Sequence, residues 1–323
     1  MMLSRRSLML MAGGAVLAPF LQVLDGGAQV IGGPAFASWW RASLPPACDA
    51  VKIRAALAEV IATIDAKMSP YKASSELSRI NRSPGGQWLP ISDSVGSVIL
   101  ESLRIARLTD GAFDPTVGPL VRRYGFGPIG GSATVDYRSI VLGRLGLHKA
   151  GPKATLDLCG IAKGHAIDRM ALTIEAFGVR SFLLEAGGEV LARGGHPDGR
   201  PWQIGIETPS STVPAFQRIV KLDGMALATS GQAINGGSEA GINFSHIIDS
   251  RTARPVVNSV ASVSVIAESG MQADALATAL VVMGSASGLE LAERLDLAVL
   301  FQLREGDGVS EVMSKRFARS IIA

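Results

Sequence analysis

The densest run of chemically able residues is Asp157-Leu-Cys-Gly160-Ile-Ala-Lys163-Gly164-His165-Ala-Ile-Asp168. Small residues make a turn ahead of a helix expected to begin near Ala162. A helix start presents unpaired N–H groups and the positive end of the helix dipole, both suited to a phosphate. Lys163 adds a cation there, and Asp157 is able to accept hydrogen bonds from a ribose or a ring N–H. The segment lacks the Lys-Ser/Thr pair of a Walker A loop, so it does not read as an ATP site of that kind. Taken alone, the same residues also fit a plain strand, turn and helix with a capping acid.

Two further stretches carry candidate chemistry. In Ala273-Asp274-Ala-Leu-Ala277-Thr278 the acid and the hydroxyl stand four apart and share one helical face. Their oxygens suit Mg²⁺, a hard cation that keeps waters; a helix cap with a Thr bonded to its own backbone is the alternative. Ser245-His246-Ile-Ile-Asp249-Ser-Arg251-Thr252 reads as a strand end that delivers a His, an Asp and an Arg together. His246 is then a candidate base or a satisfied structural histidine. Ala228-Thr229-Ser230-Gly231, Thr109-Asp-Gly-Ala-Phe-Asp114-Pro-Thr-Val-Gly-Pro-Leu120, and Met68-Ser-Pro-Tyr71 with Ser75-Glu-Leu-Ser-Arg-Ile-Asn81 would each pass singly as a turn or a helix cap.

The elements that must hold these residues are legible in outline. Val51, Ile53, Leu57, Val60, Ile61, Ile64 and Met68 fall on one face of a helix over 50–68. A second helix is expected over 93–108, capped by Ser92 or Asp93, and a third over 163–177 with Gly178 as its stop. Residues 111–134, rich in Gly and Pro, are expected to be an ordered loop. Short strands are expected at Ser181–Leu184, Val190–Arg193, Gln203–Glu207, Arg218–Leu222, Met225–Ala228, His246–Ile248 and Ser259–Ala267. Helices over 271–283 and 286–294 and a strand at Leu297–Leu303 follow. Two groups of helices around a block of strands favour α+β over strict βα alternation.

Composition bounds the function. The 323 residues are 47% hydrophobic and 18% charged, a globular composition with room for a sizeable core. A net charge of +3 and 5% aromatics give no footprint for nucleic acid. The two cysteines, Cys48 and Cys159, have no CxxC partner, so neither a zinc site nor a disulfide framework is supported. Ser4-Arg5-Arg6-Ser7 precedes a modest Gly- and Ala-rich apolar run, the layout of a twin-arginine export signal. That run is too short for a comfortable membrane span. The expected leader is 1–28 and the working domain 29–323. Cleavage falls between 28 and 37, since Gly26-Gly27-Ala28 and Ala35-Phe36-Ala37 both suit a signal peptidase.

The order of the motifs carries more than any one of them. Met-Ser-Pro-Tyr, Ser-Glu-Leu-Ser-Arg-Ile-Asn, Asp-Gly-Ala-Phe-Asp-Pro-Thr-Val-Gly-Pro-Leu, Asp-Leu-Cys-Gly-Ile-Ala-Lys-Gly, Glu-Ala-Gly-Gly-Glu, Ala-Thr-Ser-Gly, His-Ile-Ile-Asp and Ala-Asp-Ala-Leu-Ala-Thr-Ala follow one another from residue 68 to 279. In this the chain closely resembles the ApbE family of Mg²⁺-dependent FAD:protein FMN transferases, over essentially everything after the leader. The resemblance implies a T-fold-like α+β architecture, one large domain of two intimate lobes, with FAD in a cleft. It implies that Tyr71 packs on the flavin. It also implies that Ala112, Phe113 and Asp114 line the FAD site and that Phe36, Asp157, Lys163 and Ile248 contact FAD. Asp274, Thr278 and the Gly160 carbonyl are the implied Mg²⁺ ligands, and His246 resembles the proposed base.

The implied reaction moves FMN from FAD to a Thr or Ser hydroxyl of an exported redox protein, with release of AMP. The implied setting is the periplasm, with a peripheral approach to inner-membrane complexes. Hydrolysis of FAD to FMN and AMP uses the same residues, and an exported FAD carrier without turnover is the reading from a different class. Three departures from the family pattern stand out. Ser250 and Ala253 replace the usual Pro and Gly after His-Ile-Ile-Asp, Gln232-Ala233 replaces an acidic-aromatic pair, and Phe36-Ala37-Ser38 replaces Met-Gly-Thr. Cleavage after Ala37 would remove Phe36, which favours cleavage nearer Ala28.

Overall fold

Consecutive residues of the central strands go to opposite sides, and both sides are covered. The computed structural model describes residues 28–131, 135–209, 216–231, 237–239, 242–306 and 308–322. The leader, Gln232 and Ala233 lie outside the described residues. In chain order the elements are β1 (Gln29–Ala35), β2 (Ser38–Leu44), α1 (Ala50–Met68), α2 (Glu76–Arg82), β3 (Trp88–Leu89), α3 (Asp93–Leu108) and α4 (Gly118–Arg123). Then come β4 (Ile140–Gly143), β5 (Gly146–Lys149), α5 (Ala162–Ala176), β6 (Phe182–Ala186), β7 (Glu189–Arg193), β8 (Trp202–Glu207), β9 (Phe216–Leu222) and β10 (Ala226–Gly231). The chain continues through β11 (Gly237–Glu239), β12 (Ile242–Phe244), β13 (Ile248–Asp249), β14 (Arg254–Pro255) and β15 (Val260–Ala267). It closes with α6 (Gly270–Met283), α7 (Ser285–Arg294), β16 (Ala298–Glu305), β17 (Gly308–Met313) and α8 (Lys315–Ala318).

Eight strands form one sheet in the order β1-β2-β6-β7-β10-β15-β16-β17, every neighbouring pair antiparallel. Leu184, Leu191 and Ala226 pack with Ile53 and Leu57 of α1 and Ile167 and Met170 of α5. Val263, Val265 and Val299 pack on α6 and α3 on the same face. The alternate residues Leu183, Val190, Leu227, Ile266 and Leu300 meet Trp202, Ile204 and Val220 of the β8–β9 hairpin on the other face. Every residue of β15 is buried, as expected of a strand covered on both sides. Helices on one face and a hairpin on the other make the molecule α+β.

The helix readings over 50–68 and 93–108 match α1 and α3 residue for residue, with Asp49 and Ser92 as side-chain caps. Two sequence readings are corrected. The loop expected over 111–134 contains helix α4, started by Pro119 in its first turn and anchored by buried Leu120. His246 is not in a strand: the Ser245 hydroxyl accepts the Ile247 N–H at 3.0 Å, and this local turn keeps 245–247 off the ladder until Ile248. Residues 29–44, for which the sequence signals no element, form the β1–β2 hairpin at the sheet edge.

Candidate active site

Two helices meet end to end at glycines and cap each other with acids. A Cβ at Gly164 would run into the Gly270 carbonyl, and one at Gly270 into the Gly164 carbonyl, so only glycine permits this approach. Asp274 of α6 accepts the Gly164 N–H at 3.0 Å. Asp168 of α5 accepts the Gly270 and Met271 N–H groups at 2.6 and 3.1 Å. The crossing also bears on the helix start as a phosphate cradle. Ile161 and Ala162 both donate to the Leu158 carbonyl and Gly164 donates to Asp274, so these N–H groups are already committed. Lys163 is left as the main positive feature of that turn.

Lys163 lies between two buried acids. It forms a close ion pair with Glu189 Oε1 and stands 3.6 Å from Asp274 Oδ1. Burial pushes its ammonium pKa down, but Asp274 and Glu189 more than offset this and hold it protonated. Burial pushes the Glu189 carboxyl up, against the pull of Lys163. Thr278, one turn after Asp274, has its hydroxyl 3.3 Å from Ser230 Oγ at the end of β10. A Cβ on Gly160 would stand 3.2 Å from the Phe113 ring and 3.4 Å from the Thr278 hydroxyl, so the bare glycine keeps a space open beside Thr278.

The loop ahead of α5 is held from two sides. The Asn81 side chain brackets Leu156, accepting its N–H and donating to its carbonyl, both at 2.8 Å. Fully buried Lys149 donates to the carbonyls of Ile80 and Asn81, which fixes the end of α2 behind it. The Asp157 N–H donates to the Pro115 carbonyl, and Asp157 Oδ1 accepts the Cys159 N–H at 3.0 Å. Burial raises the Asp157 carboxyl. Ala112 and Phe113 are buried in the larger core. Asp114 uses both oxygens structurally, on the Thr116 N–H and hydroxyl and on the Tyr137 N–H, and burial raises its pKa despite these bonds. Asp114 therefore shapes the wall that carries Phe113.

Of the remaining predicted residues, Tyr71 and His246 stand near this centre. Tyr71 is exposed, in the turn between α1 and α2, and its phenol is raised by partial desolvation and by Cys159 and Asp157 beside it. His246 stacks edge-on to Phe126 with ring centroids 6.2 Å apart. Burial and then the charge of Lys163 lower its pKa, so the ring is neutral at neutral pH. Its Nδ1 is buried without a hydrogen-bond partner among the described residues. Ile248 is buried in β13. Ser250, which stands where the family pattern has Pro, donates to the Gly111 carbonyl at 2.6 Å. Tyr124 donates to the Ala253 carbonyl at 3.2 Å, so the segment after His246 is tied down by side chains. Phe36 sits in the β1–β2 turn and packs against both helix-side core clusters.

The fold thus gathers Phe113, Gly160, Lys163, Asp274 and Thr278 around the α5–α6 crossing, with Tyr71 and Asp157 at one border and His246 at another. Glu189 and Ser230 belong to the same centre. Their motifs were visible in the sequence, but no spacing rule linked them to residues far along the chain. Both cysteines are free thiols.

Comparison with known proteins follows the same lines. A family model described as the ApbE family matches residues 36–301. A Vibrio cholerae protein named FAD:protein FMN transferase is 35% identical over 286 residues, 84% of this chain and 86% of its own. One of the same name from Escherichia coli is 35% identical over 315 residues, 91% of this chain and 89% of its own. The solved flavin transferase ApbE from Vibrio cholerae superposes with a TM-score of 0.82 at 32% identity, covering 91% of this chain and 99% of that one. The apo flavinyl transferase ApbE from Pseudomonas stutzeri gives 0.83 at 33%, over 92% and 97%. In sequence, in the order of its motifs and in its fold, this chain belongs to the ApbE family.

Proposed function

We propose that this chain is an exported, Mg²⁺-dependent FAD:protein FMN transferase, attaching FMN through a phosphoester bond to a Thr or Ser hydroxyl of a periplasmic redox protein. One observation carries the reading: the α5–α6 crossing places a protonated lysine beside a set of oxygen donors. Its relatives bear the corresponding name. Asp274, Thr278 and the Gly160 carbonyl offer oxygen donors, and the missing Cβ at Gly160 keeps a space open beside Thr278. Lys163 pairs closely with Glu189 and stands 3.6 Å from Asp274, so the Asp274 carboxylate beside Thr278 is not in hydrogen-bond contact with it. A hard divalent cation fits such a site. Bound there, Mg²⁺ supplies charge neutralisation at the pyrophosphate.

The chain's own residues do the rest. Lys163 presents a fixed positive charge to the anionic pyrophosphate. Exposed Tyr71 offers a face to the isoalloxazine ring. His246 is neutral and able to take a proton. The acceptor hydroxyl oxygen bonds to the FMN phosphorus, and its proton passes to His246. The bond from that phosphorus to the bridging oxygen breaks, and AMP leaves with the electron pair. Gln232 and Ala233 follow β10 in the sequence and are candidates for acceptor handling.

Export rests on the Arg5-Arg6 leader. Cleavage near Ala28 preserves β1 and Phe36, whereas cleavage after Ala37 removes both. N-terminal sequencing of the exported protein decides this, and a start at Ser38 sinks the Phe36 contact. The activity is tested by incubating the protein with FAD, Mg²⁺ and a candidate exported acceptor and weighing the acceptor. A mass gain equal to FMN supports transfer. Free FMN and AMP without an adduct mean hydrolysis, and tight FAD binding with neither product means a carrier. Asp274→Ala is expected to abolish Mg²⁺-dependent turnover; full activity in that variant rejects the metal assignment.

A further inference from the structure

Glu189 has no role in the reaction as set out above, yet its surroundings are unusual. It is 2% exposed, at the first position of β7. Gly187 and Gly188, both at positive φ, make the tight turn from β6 that sets it there. Oε1 takes the Lys163 ammonium in close contact, while Oε2 is buried without a hydrogen-bond partner among the described residues. A buried carboxylate with one oxygen unsatisfied is costly, so packing alone does not account for an acid here.

Asp274 has the complementary arrangement. Its Oδ2 is engaged by the Gly164 N–H, and its Oδ1 lies 3.6 Å from Lys163 Nζ, outside hydrogen-bond range. Lys163 therefore leans toward Glu189 and away from the acid on the same helix face as Thr278. The bare Gly187 adjoins this pair: a Cβ there would lie 3.4 Å from Lys163 Cδ and 3.6 Å from Glu189 Oε2.

We propose that Glu189 is a positioning residue that draws the Lys163 ammonium off Asp274 and so leaves Asp274 free for the divalent cation. The inference rests on the Mg²⁺ reading given above. Without Glu189, Asp274 is the only carboxylate left to Lys163 among the ion pairs described. An ammonium seated on that carboxylate competes with a metal ion for the same oxygens. Glu189 thus lets one buried centre hold a lysine for the pyrophosphate and an acid for the metal side by side.

The test is a titration of the FAD-free protein with Mn²⁺, a hard divalent probe read by electron paramagnetic resonance. Glu189→Gln is expected to weaken Mn²⁺ binding about tenfold, equivalent to about 1.4 kcal/mol. Glu189→Asp, which keeps the charge but shortens the reach, should fall between that variant and wild type. Adding Lys163→Met to Glu189→Gln removes the competing ammonium and should restore binding to within about threefold of wild type. Wild-type affinity in Glu189→Gln, or a double variant as weak as Glu189→Gln alone, overturns the proposal. Where Glu189→Gln fails to fold, Lys163→Met carries the test: it should bind Mn²⁺ at least as tightly as wild type, and weaker binding overturns the idea. Failure of the wild type to bind Mn²⁺ rejects the Mg²⁺ reading itself, and this inference with it. Binding that ignores Glu189 rejects only the inference.

Discussion

Phe36 and Ala37 sit at φ 50° and 61°, the left-handed region, and make the two-residue turn between β1 and β2. Both central positions of such a turn favour Asn or Gly, since a Cβ there meets the backbone. Ala253, standing where the family pattern has Gly, is likewise at φ 55°. These departures carry backbone strain. Ala37→Gly is expected to stabilise the protein by about 1 kcal/mol, a rise in Tm of about 2 °C by calorimetry; an unchanged Tm would mean the turn relaxes. His165 gives a second prediction at this scale. It is buried, with Nε2 3.1 Å from Ser94 Oγ, and burial, then Arg169 and Lys67, lower its pKa from 6.5 to about 4. The fold favours the neutral ring, so its contribution is complete above pH 6.5 and is lost as pH falls toward 4. The loss is about 3 kcal/mol on the linkage scale. His165→Gln should remove most of that slope in urea titrations between pH 7 and pH 4.5, whereas an identical slope would assign it to other groups.

At the scale of elements, the reciprocal capping of α5 and α6 ties the site to stability. Asp168→Ala strips the acceptor from two N–H groups at the start of α6 and should cost about 2 kcal/mol. Gly164→Ala forces the two helices apart and should cost at least as much. Both variants should also weaken FAD binding, measured by flavin fluorescence, because Lys163 and Asp274 share the displaced crossing. Stability loss without weaker FAD binding would separate the crossing from the site. The long helices were readable because their apolar periodicity and their caps agree. Asp49 and Ser92 begin α1 and α3, and Gly178 at φ 80° follows α5. The β1–β2 hairpin was not readable, because Phe-Ala is not a turn signal and Gly32-Gly33-Pro34 reads as a break. The turn at Ser245 was hidden for another reason: a side-chain hydrogen bond, invisible to alternation, takes the backbone out of the strand.

For the whole molecule, the edge strand matters beyond its length. β1 covers one side of β2, whose Trp40 is 2% exposed, and the turn that follows places Phe36 against both helix-side cores. A chain beginning at Ser38 loses the ladder and these contacts. It should unfold about 10 °C below a chain beginning at Ala28, a loss of several kcal/mol. Equal melting temperatures would show that β1 is dispensable. Among the described residues, no helix is long and apolar enough to cross a membrane.

The amino-acid sequence by itself determined the class of the protein, most of its helices and five of the eight strands of its large sheet. These follow from local periodicity, which a chain carries wherever it folds. Through the order of its motifs it also determined the family, and with it the residues to inspect. Only the tertiary structure decided which of those residues share one centre. Lys163, Glu189 and Asp274 are brought together by a helix crossing that two glycines permit and by a turn that two more impose. The same contacts decided that Asp114 serves a turn and that Asn81 and Lys149 hold the loop before α5. A polar side chain finds its partner across the packed interior, and nothing in its neighbours along the chain specifies which one.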